Sequence, residues 1–254
     1  MKYDVLLTDS GTDRLSTALM VMNTIQQLIP LPIRNLNDVR DWLSHLPILL
    51  RRGIAGDEAR DLQLRYEQAG SAVAVIPSQL FFPKNNPDIS DWRNEHFSEH
   101  LTALHEHVLT DWAQSAAVKE GYRFSFFPSY GSDITMRIWA RDDQIFARVR
   151  RGMGNIGPLP GPPEADITWS PTYADWHSLC QAMATHHFWE RETWNTVPDG
   201  YNIVDSIHWV TEGWRQNQYH VLVDESPTEG AAHEVGTMLW GLLPDEFTYP
   251  DVDR

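Results

Sequence analysis

Cysteine is almost absent: the 254 residues hold one, Cys180. An intrachain disulfide is therefore excluded, and so is a Cys-rich metal site. Long apolar runs are absent too. No window holds the ~18 apolar residues that a membrane-spanning helix needs. The opening "MKYDVLLTDSGTD" has only a short apolar run before Asp9, which does not fit a signal peptide. Cations are scarce: 20 Lys and Arg stand against 35 Asp and Glu, a formal net charge of −15. So acidic a chain repels phosphate backbones, which argues against nucleic acid as a partner. It attracts basic proteins and speeds their association. These absences lead us to expect a cytoplasmic protein with no membrane contact.

What is present is unevenly spread. A hydrophobic content of 42% is enough for a buried core and argues against wholesale disorder. Residues 1–78 carry 8 Lys and Arg against 9 Asp and Glu, whereas the remainder carries 12 against 26. Ten of the eleven tryptophans also follow residue 78. That shift argues for two domains, 1–78 and 92–254. The Pro-rich, aperiodic stretch "PSQLFFPKNNPDISD" provides a linker, placed at 79–91.

The first domain reads as βααβαβ. "YDVLL" (3–7) suits a strand, and apolar residues recur at helical spacing from Leu15 to Ile29, with Thr12 and Asp13 both able to cap. "IPLPI" (29–33) cannot continue a helix. A second helix spans about Leu36 to His45, and "PILLRRGIA" holds a strand. A third helix runs from about Asp57 to Gln68. Gly70 then suits a left-handed C′ position before the strand "SAVAVI".

This order, with "NLNDVRDWLSHLP" (35–47) and "GIAGDEARDLQLRYEQAGSAVAVI" (53–76), resembles the C-terminal domain of the bacterial ribosomal stalk protein, an α/β fold shared with the ClpS adaptor. The resemblance covers about a third of the chain. It implies a scaffold that binds translation factors through basic residues on its first two helices and a Gly-Leu-Gly-Leu corner. Here the family's basic positions fall on Gln26, Ile29 and Asn37. Only Arg40 keeps its charge, and the corner reads "PLPI". The implied factor-binding surface is thus largely rewritten.

The second domain reads as a long helix from about Asp91 to Val118, a meander of three strands (122–128, 133–140, 144–150) and a loop. A short strand at 166–169 follows, then a helix capped by Ser170 or Thr172, then two strands (205–215, 218–225). A last helix opens at "SPTE" (226–229), with Ser226 as N-cap and Glu229 completing a capping box. In outline this half resembles an uncharacterised family of acidic meander-plus-helix bacterial proteins, to which no activity attaches.

Several stretches invite a chemical reading. "HFSEH" (96–100) matches the His-x-x-Glu-His pattern of zinc peptidases, with His96 and His100 as ligands and Glu99 as base. No third ligand is marked, and the nearby His105 and His107 show a helix that uses histidine freely. A solvated helix edge is the expectation. "GMGNIG" (152–157) lacks the helix start that would hold a pyrophosphate, because "PLPGPP" follows. "LLTDSGT" (6–12) resembles an aspartic-peptidase loop, which needs two such aspartates; a polar turn is expected. Cys180 and His177 share a helix face without a third partner. "FWERETW" (188–194) sets Glu190 and Glu192 between Trp189 and Trp194, which suits a glycan site less well than an interface anchor.

The expected fold class is α+β, with a small βααβαβ stalk-protein-like domain followed by an antiparallel meander sheet packed with helices. No catalytic residue, cofactor or metal is assigned. The expected function is a non-enzymatic protein-binding inhibitor of a basic partner. Its concrete form is an immunity protein that neutralises a bacterial toxin by blocking its surface or active site. Such proteins are similar to this chain in type, being small, acidic and free of catalytic motifs. Trp189, Glu190, Glu192 and Trp194 are the expected partner-binding residues. The alternatives are a translation-linked protein that engages a GTPase or the ribosome through the first domain, and a zinc hydrolase built on "HFSEH".

Overall fold

The computed structural model describes all residues except 28–35, 84–88, 130, 156–158, 192–206, 228–230, 245–246 and 248–254. The chain is α+β, and it builds two antiparallel sheets with separate cores.

The first sheet comes from residues 2–77. β1 (Lys2–Asp9) leads through a turn in which Asp9 Oδ1 accepts from the Gly11 N–H at 2.8 Å, so "TDSGT" is the polar turn expected. Asp13 caps α1 (Arg14–Gln26), accepting from the Ser16 N–H at 3.1 Å. α2 (Leu36–Trp42) and β2 (Ile48–Ala55) follow. The expected "PLPI" corner lies outside the described residues. α3 (Gly56–Gln68) opens with Asp57 and Glu58, whose charges suit its positive end. It closes at Gly70, where φ is +84°. The Ser71 N–H reaches Tyr66 O and the Gly70 N–H reaches Glu67 O, both at 3.0 Å. That is a Schellman stop, and it lets the chain change from helical to strand period within two residues. β3 (Ala72–Pro77) completes the order β2-β1-β3.

Strand alternation then sorts the faces. Val5, Leu7, Ile48, Leu50 and Val73 point to α1, α2 and α3, where they pack with Val21, Ile25, Trp42, Leu62 and Tyr66. Leu6 and Leu49 point the other way and meet Ala103 of the second half. Leu159 from the second half also enters the first core.

The second half begins with α4 (Asp91–Ala103) and α5 (Leu109–Ser115). A single helix to Val118 was expected; the structure breaks it at His105, whose φ is +55°. The His105 N–H bonds Thr102 O and the Glu106 N–H bonds Leu101 O, at 2.9 and 2.8 Å. The reason for the break is tertiary. The buried guanidinium of Arg150 takes Leu104 O at 3.0 Å together with His105 O, and Arg123 Nη1 takes His107 O at 2.6 Å. These donors cap carbonyls that a continuing helix would need for itself.

β4 (Glu120–Pro128), β5 (Ile134–Arg141), β6 (Gln144–Gly152) and β7 (Pro163–Trp169) form the meander. β7 starts three residues earlier than its expected start at Asp166 and takes in part of the expected loop. α6 (Tyr173–Thr185) is capped by Thr172 in a reciprocal capping box with Asp175. A 3-10 turn (Phe188–Glu190) follows, then the hairpin β8 (Ile207–Arg215) and β9 (Gln218–Glu225). The six-stranded order is β7-β6-β5-β4-β8-β9. α7 (Ala231–Trp240) follows. Ser226 is not its N-cap: with φ +46° it closes the β8–β9 end by exchanging bonds with Ile207. Glu229 lies outside the described residues.

Tyr122, Phe124 and Phe126 face α6 and α7 and build the larger core. There Gly236 is required by contact, since a Cβ would stand 2.2 Å from the Trp209 ring. Arg123 and Ser125 face the opposite side, beneath α4 and α5. Phe81 and Phe82 of the connector are buried against α4 through Ser98 and Asn94. Each such side chain removed from water contributes about 1.5–3 kcal/mol, so this end of the connector is anchored.

Candidate functional site

Among the described residues, two clusters of ionisable side chains bear on function. The first is a row of arginines on the α4/α5 face of the large sheet. Arg123 stands opposite Glu212 of β8 and Arg137 of β5, and Arg137 stands opposite Arg148 of β6. Glu106 enters from the bend between α4 and α5. Its carboxylate lies 3.1 Å from Arg137 Nε, 3.3 Å from Arg150 Nη1 and 3.6 Å from Arg123 Nη1. Burial pushes the Glu106 carboxyl up, but Arg137, Arg123 and Arg150 outweigh that and hold it below the ordinary range. Glu212 takes the other side of Arg123 at 2.5 Å and accepts from Tyr219 Oη at 2.9 Å. Arg123, Arg137, Arg150, Glu106 and Glu212 are all buried, so the network holds helices to sheet and offers no open chemistry.

The second place is a cavity of about 700 Å³ where the two halves meet. α4 sets Trp92, Glu95, His96 and Glu99 on one face by i, i+3, i+4, i+7 spacing, while Phe97, Ser98 and Leu101 turn inward. β1 supplies Lys2 and β2 supplies Arg52 and Gly53. The two cations are already matched. Lys2 Nζ is 2.9 Å from Glu95 Oε1. Arg52 bonds Gln79 O at 2.5 Å and Glu95 O at 3.4 Å, with Asp4 3.8 Å from its Nε. Glu99 has no hydrogen-bond or ion-pair partner among the described residues. Burial raises its carboxyl above the usual range, against the pull of His100 and Arg52. Trp92 is 66% exposed and its ring stacks on His96 at 5.5 Å and 6°. Burial, with His100 and His208 nearby, pushes His96 down to about 3, so its imidazole is neutral.

This places the "HFSEH" residues. His96 and Glu99 line the cavity; His100 turns into the protein, its Nδ1 2.7 Å from Asp133 Oδ2. Burial lowers the His100 pKa, but the Asp133 charge and hydrogen bond prevail and hold it raised. Among the described residues no group of three or more His, Cys, Asp or Glu is arranged to hold a metal. Cys180 is half-buried, and burial beside Glu120 pushes its thiol up to about 12, far from the thiolate a nucleophile needs.

Of the four expected partner-binding residues, Glu190 is exposed, while Trp189 is half-buried and packs on Phe188, Tyr122 and His220, with Arg215 4.6 Å from its ring centroid. Glu192 and Trp194 lie outside the described residues. Sequence reasoning missed Lys2, Arg52, Trp92 and Glu95. An aromatic on the polar face of a helix start was the one available signal.

No protein-family model matches the chain. A stretch of 74 residues, 29% of the chain, is 27% identical to the large ribosomal subunit protein bL12 of a Nitratiruptor species and covers 53% of that protein. The chain thus spans about half the length of this curated relative. Among the described residues no helix is long and apolar enough to cross a membrane.

Proposed function

We propose that this chain is a non-enzymatic inhibitor that binds a basic protein, in its concrete form an immunity protein that blocks a bacterial toxin. One observation carries the reading. The buried arginines of the second half, Arg123, Arg137 and Arg150, are matched inside by Glu106 and Glu212. The core therefore does not absorb the acidic excess of residues 79–254, and the surplus carboxylates remain for a partner of opposite charge. Expression beside a secreted-toxin gene from the same neighbourhood tests this. Cells should survive the toxin when the chain is co-expressed, and unchanged killing counts against the reading.

A second reading has its own observation, the partial similarity to a ribosomal protein. On it the first sheet and its helices would engage the ribosome or a translation GTPase. The exposed Leu15 and Leu19 on α1 offer a contact, but the rewritten basic positions weaken it. The zinc-hydrolase reading loses ground because among the described residues no group of three His, Cys, Asp or Glu is arranged to hold a metal.

A further inference from the structure

Four strands lie at the edges of the two sheets: β2 and β3 in the first, β7 and β9 in the second. An outer strand carries unpaired N–H and C=O groups, and proteins commonly guard such edges with charged side chains. β2 has Arg51 and Arg52, β7 has Glu164 and Asp166, and β9 has Asp224 and Glu225. β3 reads "AVAVIP" and has no charge at all. The Ser78 N–H bonds Lys2 O at 2.9 Å, so even-numbered residues of this strand turn to β1, and Val73, Val75 and Pro77 turn outward. Two outward groups need no further partner. Gln63 Nε2 donates to Val73 O at 3.3 Å, and Pro77 has no N–H to satisfy. The Val73 N–H, both groups of Val75 and Pro77 O remain.

That set is complementary to itself. Lay a second copy of β3 antiparallel, with Val75 on the two-fold axis. The two Val75 residues then exchange both bonds, and each Val73 N–H meets Pro77 O of the other copy. The carbonyl left facing a missing donor is Val73 O, which Gln63 already holds. The flanks agree with this arrangement. A groove of about 430 Å³ lies between α3 and the edge, lined by Tyr3, Arg60, Gln63, Leu64, Glu67 and Val75. Leu64 is 48% exposed, and Ile76, on the other face of the strand, is 42% exposed. Arg60 has no ion-pair partner among the described residues and lies toward the Pro77 end of the groove. Glu67, bonded by the neutral Gln63, lies toward the Val73 end. A two-fold axis turns the cationic end of one groove to the acidic end of the other. We infer that β3 pairs with β3 of a second copy of this chain, joining the two small sheets into one continuous sheet about Val75.

The test uses the full chain in sedimentation equilibrium across a wide concentration range. The mass should rise from 29.2 kDa to twice that value. Val75→Pro removes only an outward N–H, so the chain should keep its melting profile while the dimer weakens by about tenfold or more. A cysteine pair decides the register and does not depend on that variant folding. In a Cys180→Ser background, Val75→Cys should form a disulfide-linked dimer under mild oxidation, because hydrogen-bonded antiparallel partners stand about 5.5 Å apart at Cα. Ala72→Cys, an exposed position on the same strand, stands roughly 20 Å from its mate in this register and should stay monomeric. A chain that remains monomeric at every concentration overturns the inference and leaves the edge to the strand of a different protein. A dimer that folded Val75→Pro leaves at full strength, or equal cross-linking through Ala72→Cys, overturns it as well.

Discussion

Replacing Glu106 by Gln keeps the side-chain volume and removes one charge from the centre of the arginine row. Three guanidinium groups lie within 3.6 Å of its carboxylate, and none of the side chains is more than 7% exposed. Arg123 keeps Glu212 and Arg150 keeps Asp166 at 3.2 Å. Arg137 has no other carboxylate within ion-pair distance among the described residues; only the Trp112 face, 4.5 Å away, remains. Breaking a buried pair by removing one partner costs about 3–5 kcal/mol, because a charge is stranded away from water. Against a total stability of ~5–15 kcal/mol that is a large fraction. At roughly 2–4 °C per kcal/mol for a chain of this size, the melting point should fall by ~6–20 °C. Thermal melting measures that shift, and urea denaturation followed by tryptophan fluorescence measures the free-energy loss itself. A second variant isolates the cause: adding Arg137→Met removes the stranded cation and should recover at least half of the loss, as a coupling between neighbours. A Glu106→Gln variant within about 1 kcal/mol of the parent, or no recovery in the double variant, refutes the reasoning.

Other outcomes follow from the same structure. Residues 1–78 expressed alone should melt cooperatively, as a unit owning its core, though weakened by ~1.5–3 kcal/mol for the missing Leu159; an isolated segment with no melting transition would refute two domains. The folded pKa of His96 is depressed to about 3, so its contribution is fully present above the ordinary value and is lost as pH falls from there towards 3; that arm of the pH–stability curve should flatten in His96→Gln. Elemental analysis of chelator-free protein should find no stoichiometric zinc; one zinc per chain, lost in His100→Ala, would promote the hydrolase reading. Cys180 should react slowly with alkylating agents at neutral pH, and thiol labelling as fast as a free peptide cysteine would contradict its raised pKa.

Much of the fold was legible because local signals agreed with the global arrangement. Asp13, Thr172 and Gly70 sit where capping chemistry places them, and period-2 runs mark the meander. The break at His105 was not legible. The apolar stripe runs on through Leu104, Val108 and Leu109, and histidine is no usual stop. What ends α4 is Arg150, distant in sequence, bonding the carbonyls of Leu104 and His105, while Arg123 holds His107 O beyond the bend. The arginines themselves were visible at alternate strand positions, but a charged inner face depends on Glu106 arriving from the bend that nothing local announced. The junction cavity was hidden for a similar reason. Its wall joins Lys2 and Arg52 to α4, about forty residues and more apart, and only docking of the two halves brings them together.

The central claim is that the acidic half binds a basic protein, and capture from a lysate of the native host tests it most directly. The full chain, residues 79–254 and residues 1–78 should each be immobilised, and bound proteins identified at low and physiological salt. The account predicts one basic protein retained by the full chain and by 79–254. Its association should slow as the Debye length falls from ~30 Å to ~8 Å. Capture of ribosomes or elongation factors instead, retained by 1–78 and lost when that segment is removed, would contradict it.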